Sequence, residues 1–90
     1  MEITERFSSF GICEMTLIDP ARNRYRHYCI AIQPGLFEVA VQRRWGRVGR
    51  QPRGKNTFFQ ELQDAVHFAN RLFRSKTRRG YHELTIPGKE

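Results

Sequence analysis

Alternating hydrophobic and polar residues mark three stretches in the first half of the chain, residues 13–18, 25–33 and 37–45. Such alternation is typical of a β-strand with one buried and one exposed face. The dipeptide Pro34-Gly35 separates the second and third stretches. Pro-Gly is a typical turn sequence, because glycine adopts positive φ without strain. We therefore predict three strands, the last two paired as an antiparallel hairpin.

The phase of the alternation predicts which side chains point toward the core. Tyr28 and Ile30 share one face of the second strand, and Arg26 lies at the start of that face. In the third strand the apolar face begins at Phe37 and stays in phase as far as Trp45. Tyr28 is therefore predicted to be a core residue, and periodicity alone places Trp45 in the core as well.

A helical pattern follows in the second half of the chain. After a short fourth strand at residues 55–59, apolar residues recur every three or four positions, which is the spacing of one face of an α-helix. This stripe consists of Leu62, Ala65, Val66, Ala69, Leu72 and Phe73. Gly80 is the expected end of the helix, and residues 81–86 are a candidate edge strand. The predicted fold class is α+β, an antiparallel sheet of four to five strands with one long amphipathic helix packed on one face.

Ninety residues are enough for one small domain. We assign residues 13–86 to this domain, residues 1–12 to an N-terminal extension and residues 87–90 to a C-terminal tail. Phe7 and Phe10 lie in the extension, which either docks on the domain or frays.

The sequence also argues against a membrane protein, a secreted protein, a disulfide-stabilised domain and an enzyme. It has neither a run of about 20 apolar residues nor a secretory signal pattern at its start, so we expect a cytoplasmic protein without a membrane partner. Cys13 and Cys29 are too few for a disulfide scaffold and are expected to be free, buried thiols. Because metal-ligand spacings and catalytic motifs are absent from the sequence, we expect no metal, no cofactor and no enzymatic activity.

Basic residues dominate the charge: 16 Lys and Arg stand against 9 Asp and Glu, a net charge of +7. Most bases fall in three clusters, at residues 22–26, 43–55 and 71–79, and Glu38 is the only acid in residues 20–55. Arginine outnumbers lysine in these clusters, and its planar guanidinium suits phosphate groups. The pattern favours a polyanionic partner, with nucleic acid as the first candidate. The alternative is a charged surface that serves only to keep the protein in solution.

Three segments of the sequence, in this order, resemble one known family. Residues 33–37 resemble the hairpin turn of its bacterial members. Residues 44–49, Arg-Trp-Gly-Arg-Val-Gly, follow a predicted strand and precede a basic loop, and residues 73–81 resemble the end of the family helix with its lysine and closing Gly-Tyr. Over about residues 13–82 the chain resembles the WGR domain, which occurs in some poly(ADP-ribose) polymerases and as free-standing bacterial proteins.

The resemblance implies a binding module that recognises DNA at strand breaks. The tryptophan of the family motif, here Trp45, packs on the sugar of a terminal nucleotide, and the arginine, here Arg47, links DNA to protein partners. Asn23 matches a family asparagine that approaches the terminal phosphate. These 90 residues contain no polymerase catalytic domain, so the resemblance does not imply ADP-ribosyl transfer.

The side chain of Trp45 has two interpretations. Its phase places it in the core, whereas Gly46, directly after it, can bend the strand and turn the ring toward solvent. An exposed indole beside arginines is a stacking platform for a base or a sugar. The resemblance favours this second interpretation.

The glycine-rich loop after Trp45 is a further predicted contact, because arginines on such a loop can approach a phosphate backbone closely. Arg43 and Arg44 should divide between the two sheet faces. The predicted nucleic-acid-binding residues are Asn23, Arg44, Trp45, Gly46, Arg47, Arg50 and Arg53. We expect the nucleic-acid partner to be DNA in preference to RNA. The alternative function is a protein-interaction adaptor that docks an acidic partner through Arg47 and the loop at residues 46–54.

Overall fold

The computed structural model describes residues 5–84, so the predicted tail at 87–90 and the end of the predicted edge strand lie outside the described residues. The elements are β1 (Gly11–Asp19), a 3-10 turn (Pro20–Arg22), β2 (Arg24–Pro34), β3 (Val39–Arg47), β4 (Arg53–Phe59), α1 (Leu62–Arg78) and β5 (His82–Glu83). All neighbouring strands pair antiparallel, in the order β4-β3-β2-β1-β5, and α1 packs on one face of the sheet. This confirms the predicted α+β fold. Within the described residues, no helix is long and apolar enough to cross a membrane.

The third strand begins at Val39, and not at Phe37 as predicted. The backbone N–H of Gly35 donates to the carbonyl oxygen of Glu38 with an N···O distance of 2.6 Å, and Pro34 and Val39 form the first cross-strand pair. This turn holds Phe37 outside the sheet, where its side chain is 85% exposed. The prediction that Phe37 belongs to the core face was therefore wrong, and that face of β3 begins at Val39.

The core lies between α1 and the sheet face that carries the predicted apolar residues. Buried side chains from β1, β2 and β3 meet the apolar stripe of the helix there. The buried core residues are Phe7, Cys13, Met15, Tyr28, Ile30, Ile32, Val41, Ala65, Val66, Ala69 and Tyr81. Each large aliphatic side chain among them stabilises the fold by about 1.5–3 kcal/mol. Tyr28 is one of these residues, as its strand phase predicts.

A buried asparagine fixes the start of the described chain to α1. The backbone N–H of Phe7 donates to Oδ1 of Asn70 at 2.8 Å, and Nδ2 of Asn70 donates to the Phe7 carbonyl oxygen at 3.0 Å. Phe7 and Asn70 are both buried, whereas Phe10 is largely exposed. Of the two alternatives for the N-terminal extension, docking is therefore correct for Phe7.

Both cysteines are free, as predicted, with Cys13 buried and Cys29 half-buried. Cys13 pairs with Ile30 and Cys29 pairs with Glu14, so the two thiols lie on neighbouring strands but on opposite faces of the sheet. Burial is the largest influence on both groups, and it raises the pKa of Cys13 to about 11 and the pKa of Cys29 above its usual value. Both thiols are therefore protonated, and poorly nucleophilic, at neutral pH.

Candidate nucleic-acid interface

Trp45 lies on the core face of the sheet, near the C-terminal end of α1. It pairs with Tyr28 across β2 and β3, and the two rings are stacked with a centroid distance of 6.4 Å and an interplanar angle of 30°. The indole packs against the edge of the core but is only half-buried, and it lines an open space of about 290 Å³. The phase of Trp45 is thus that of a core residue, while part of its ring is accessible.

We call the space beside Trp45 the cleft. Its lining contains three cationic side chains, three aromatic side chains and one glycine. The lining residues are Arg26, Tyr28, Trp45, Gly46, Arg47, Lys76 and Tyr81. Because no carboxylate is among these residues, an anion in the cleft meets positive charge on several sides, and the rings offer faces to an apolar group.

Lys76, in the last turns of α1, lies between two tyrosine rings of the cleft. Its Nζ is 4.4 Å from the ring centroid of Tyr28 and 5.4 Å from that of Tyr81. Burial is the main cause that lowers the pKa of Lys76. Three nearby positive charges lower it further, those of Arg79, Arg43 and Arg26. A bound anion would raise this pKa again, because it would offset those charges and stabilise the ammonium group.

Arg47 contacts Asn23, although the two residues are far apart in the sequence. Nη1 of Arg47 donates to the carbonyl oxygen of Asn23 at 3.3 Å, and Nη2 donates to its Oδ1 at 3.2 Å. The guanidinium also lies 5.1 Å from the ring centroid of Tyr25. Asn23 has a left-handed backbone conformation, with φ 56° and ψ 42°, which asparagine tolerates well. The structure thus brings together two of the predicted site residues just before β2.

Gly46, beside the cleft, has a backbone conformation that favours glycine. Its φ of 156° is one that residues with side chains rarely adopt. A Cβ atom at this position would make only ordinary contacts, 3.6 Å from the Cα of Pro52 and 3.7 Å from Nε2 of His27, so space is not the constraint. Backbone strain therefore favours glycine between Trp45 and Arg47.

The predicted site residues do not all lie on one surface. Trp45, Gly46 and Arg47 line the cleft, and Asn23 is attached to it through Arg47. Arg44 points to the opposite face of the sheet from Trp45, where it lines a separate groove. Arg53 pairs with Trp45 across β3 and β4, so its side chain lies on the Trp45 side of the sheet, but it does not line the cleft. Arg50 lies in the exposed turn that follows β3, where its N–H donates to the carbonyl oxygen of Arg47.

The arginines of the cleft are not neutralised by local carboxylates. In residues 5–84 the ion pairs are Arg6 with Glu83, Arg22 with Asp19, and Arg74 with Glu5. None of these pairs includes a residue that lines the cleft. The positive charges of the cleft are therefore free to act on an external anion.

Sequence reasoning missed four residues of the cleft: Arg26, Tyr28, Lys76 and Tyr81. Two of them, Arg26 and Lys76, could have been recognised from the hydrophobic pattern of the sequence. Arg26 is in phase with the apolar face of β2, and Lys76 falls three residues after Phe73 on the apolar stripe of α1. A charged residue on a core-facing stripe marks the place where the stripe leaves the core. Tyr28 was assigned to the core alone, and the place of Tyr81 depends on contacts distant in sequence.

Arg43 is a further cation that the sequence did not assign to the site. It lies on the cleft side of the sheet, opposite to Arg44, as the strand phase predicts. Its guanidinium is 5.8 Å from the ring centroids of both Trp45 and Phe68. Its Nε is buried without a hydrogen-bond partner among the described residues. Arg43 therefore adds positive charge behind the indole.

Comparison with known proteins identifies the family of the chain. The family model described as "WGR domain" matches residues 12–86. The chain belongs to the WGR domain family. It is also 38% identical over 65 residues to the uncharacterized protein y4dW of Sinorhizobium fredii (strain NBRC 101917 / NGR234). That match covers 71% of the chain but 32% of the relative, so it spans about a third of that protein's length. No solved structure matches the chain significantly.

The family assignment confirms the resemblance predicted from the sequence. WGR domains are nucleic-acid-binding modules in proteins related to the poly(ADP-ribose) polymerases. In this WGR domain the three residues that name the family are Trp45, Gly46 and Arg47, and all three line the cleft.

Proposed function

We propose that this WGR domain binds the ends of DNA, with the terminal nucleotide of one strand in the cleft. The sugar lies on the open part of the Trp45 ring, and the terminal phosphate lies near Arg47 and Lys76. The observation that carries this proposal is the composition of the cleft, which combines three cations and three aromatic rings without a carboxylate.

The chemistry of a terminal nucleotide matches this combination. A terminal phosphate carries up to two negative charges and accepts charge-assisted hydrogen bonds from guanidinium and ammonium groups. A sugar or base offers an apolar surface that packs on an aromatic ring, which contributes ~1–3 kcal/mol per base. A terminal nucleotide presents an anion and a stacking surface on one small group, which is the combination that the cleft offers, so the rings beside the cations favour nucleic acid over the adaptor function.

The proposed contacts reach sugar and phosphate, and not the edges of bases. Such contacts position a protein on nucleic acid but carry little sequence information. We therefore expect binding that depends on the presence of an end and on ionic strength, with weak dependence on base sequence. On this proposal the domain acts by binding alone, without catalysis.

A titration of several DNA forms at one salt concentration tests the proposal. Blunt and nicked duplexes with a 5′-phosphate should bind more tightly than a closed circular duplex of the same length. An RNA duplex with the same ends shows whether the domain binds DNA more tightly than RNA. Equal affinity for every form would contradict end recognition, since a polycation attracts all phosphates alike.

The pH dependence of binding should identify Lys76 as a phosphate contact. Its pKa in the free protein is lowered, so its ammonium group loses its proton at a lower pH than that of an ordinary lysine. Bound phosphate stabilises the ammonium, and binding therefore takes up a proton once the pH exceeds the pKa of the free protein. We expect affinity for a 5′-phosphorylated end to fall as the pH rises through the lowered pKa of Lys76, at a lower pH than an ordinary lysine contact would show.

Two variants check the assignment of this pH effect. Lys76→Arg keeps a charged group across the whole range and should give a flatter profile. Lys55→Arg changes a lysine outside the cleft and should retain the wild-type profile. A Lys76→Arg protein with the wild-type pH dependence would assign the titration to another group.

Replacement of Arg47 should change the salt dependence of binding. If its guanidinium pairs with one phosphate, Arg47→Gln lowers the slope of log K against log salt concentration by about 0.9 for duplex DNA. The matched control is Arg71→Gln, which removes the same charge from an exposed position in the middle of α1. A slope change equal to that of the control would exclude a direct contact between Arg47 and phosphate.

A further inference from the structure

A second pocket adjoins the cleft on the side of β1, at the end of α1. It has a volume of about 160 Å³ and is lined by Leu17, Arg24, Arg26, Arg79 and Tyr81. We call it the arginine pocket. Because Arg26 and Tyr81 also line the cleft, the two spaces share a wall. A ligand that occupies the cleft can therefore extend directly into the arginine pocket.

The strand register places Arg24 and Arg26 on the face of the sheet that carries α1. Arg26 pairs with Leu17 across β1 and β2, and paired residues lie on the same face. Tyr28, two residues after Arg26, is buried in the core between the sheet and the helix. Arg24 and Arg26 continue this face beyond the end of the core, so both lie on the cleft side of the sheet.

The end of α1 supplies the third arginine of the pocket. The N–H of Tyr81 donates to the carbonyl oxygen of Lys76 at 3.0 Å, which is the hydrogen bond of a Schellman turn. Gly80, within this turn, has a φ of 104°, and a Cβ atom there would be 3.3 Å from Cδ1 of Leu17. The turn therefore packs the helix end against β1 and fixes Arg79 beside the arginines of β2.

The three arginines of the pocket are not neutralised by carboxylates. None of the ion pairs within residues 5–84 includes them. Asp19, which is opposite Arg24 in the register, pairs with Arg22 instead, at 3.8 Å. The helix dipole favours a cation at the position of Arg79, but it does not account for Arg24 and Arg26, which belong to β2. Three cations around one pocket repel one another, and a bound anion would offset that repulsion.

We propose that the arginine pocket binds the first phosphodiester group of the DNA strand whose terminal nucleotide occupies the cleft. This inference rests on the proposed function, because it takes the cleft as the place of that nucleotide. The first phosphodiester is the anion that follows the terminal nucleotide along its own strand, and the shared wall places the two sites side by side. Guanidinium groups suit this anion, since each can donate two parallel hydrogen bonds to phosphate oxygens. The strand therefore runs from the arginine pocket to the indole of Trp45, where it ends.

A DNA duplex with one uncharged linkage tests this assignment. The duplex has a single blunt end with a 5′-phosphate and is closed by a hairpin loop at its other end. A methylphosphonate, in which a methyl group replaces one charged oxygen, is placed at the first linkage of the phosphorylated strand, in the middle of the duplex, or at the last linkage of the complementary strand. For the wild type we expect about a tenfold loss of affinity at the first linkage and less than about a twofold loss at the other two.

A variant of the pocket should remove the effect of the first linkage. Arg24→Gln combined with Arg79→Gln leaves the cleft lining intact, and both side chains are exposed. This variant should bind the unmodified duplex about tenfold more weakly than the wild type and should lose nothing further when the first linkage is uncharged. Because both arginines hold the same phosphate, the slope of log K against log salt concentration should fall by about 0.9, and not by twice that value.

The matched control is Lys55→Gln combined with Arg71→Gln. It removes two exposed positive charges that line neither the cleft nor the arginine pocket. The control should retain the full loss of affinity at the first linkage. Thermal unfolding shows that each variant is folded.

Three results would overturn the inference. One is a wild-type protein that binds the duplex with the uncharged first linkage as tightly as the duplex changed in the middle. Another is a pocket variant that still loses about tenfold at the first linkage. The third is a loss confined to the complementary strand, which would assign the pocket to that strand. Failure of the proposed function would show differently, as a folded Trp45→Ala protein that binds the unmodified duplex with wild-type affinity.

Discussion

Replacing Trp45 by alanine is expected to weaken binding of a 5′-phosphorylated DNA end by about 5- to 150-fold, or ~1–3 kcal/mol. The reason is that the indole supplies the largest flat surface in the cleft, with Tyr28 stacked beside it and part of the ring accessible. The measurement is a fluorescence titration at fixed salt, accompanied by thermal unfolding of each variant.

Two further variants separate stacking from stability. Trp45→Phe retains an aromatic face and should recover a large part of the affinity. Phe37→Ala removes an aromatic side chain that is 85% exposed at the β2–β3 turn, at the opposite end of β3, and should bind like the wild type. If Trp45→Ala folds and still binds the end with wild-type affinity, the cleft is not the contact.

Replacing Asn70 by alanine is expected to lower the free energy of unfolding by about 2–3 kcal/mol. The change leaves the N–H and the carbonyl group of Phe7 without partners and loosens the docking of the Phe7 ring in the core. Urea denaturation measures the effect, with the wild type and the variant compared at the same m-value. Gln63→Ala, at an exposed position in the same helix, should change stability by less than about 0.5 kcal/mol.

A second measurement shows whether Asn70 acts through Phe7. In a double-mutant cycle, Phe7→Ala and Asn70→Ala should cost less together than the sum of the two single changes, because each releases the same segment. Additive losses would mean that Asn70 stabilises the fold by another route. DNA affinity should be unaffected at temperatures where the variants are folded, since neither residue lines the cleft.

The strands and the helix could be predicted from the sequence because their signals are local. Strand alternation placed Trp45 on the core face, and the register with Tyr28 confirms that placement. Periodicity predicts which face of the sheet a side chain points to, but it does not predict how deeply that side chain is buried. The exposure of the indole depends on where the end of α1 meets the sheet, which is set by packing between elements distant in the chain.

The error at Phe37 has a similar origin. Alternation continues through this residue, so the pattern alone cannot distinguish a strand from the turn before it. The start of β3 is set by the hydrogen bond between Gly35 and Glu38, which makes Val39 the first paired residue. Turn geometry therefore overrides side-chain pattern at this position.

The division of the arginines between two surfaces was only partly predictable. Strand phase correctly separates Arg43 from Arg44. Arg53 lies at the start of an edge strand, and its place on the same face as Trp45 follows only from the register of β3 with β4. Similarly, Asn23 meets Arg47 only because β2 and β3 pair, so that the end of one lies beside the start of the other.

The ion pair between Arg6 and Glu83, at 2.7 Å, joins the beginning of the described chain to β5. Glu83 lies on the edge of the sheet opposite to β4. A dye or an affinity handle attached at the exposed residues Glu5 or Leu84 would therefore lie at one corner of the domain and leave the β4 edge clear. The closeness of Arg6 and Glu83 suits a circularly permuted variant of residues 5–84, in which a short peptide joins residue 84 to residue 5 and the chain is opened between the exposed residues Leu36 and Phe37.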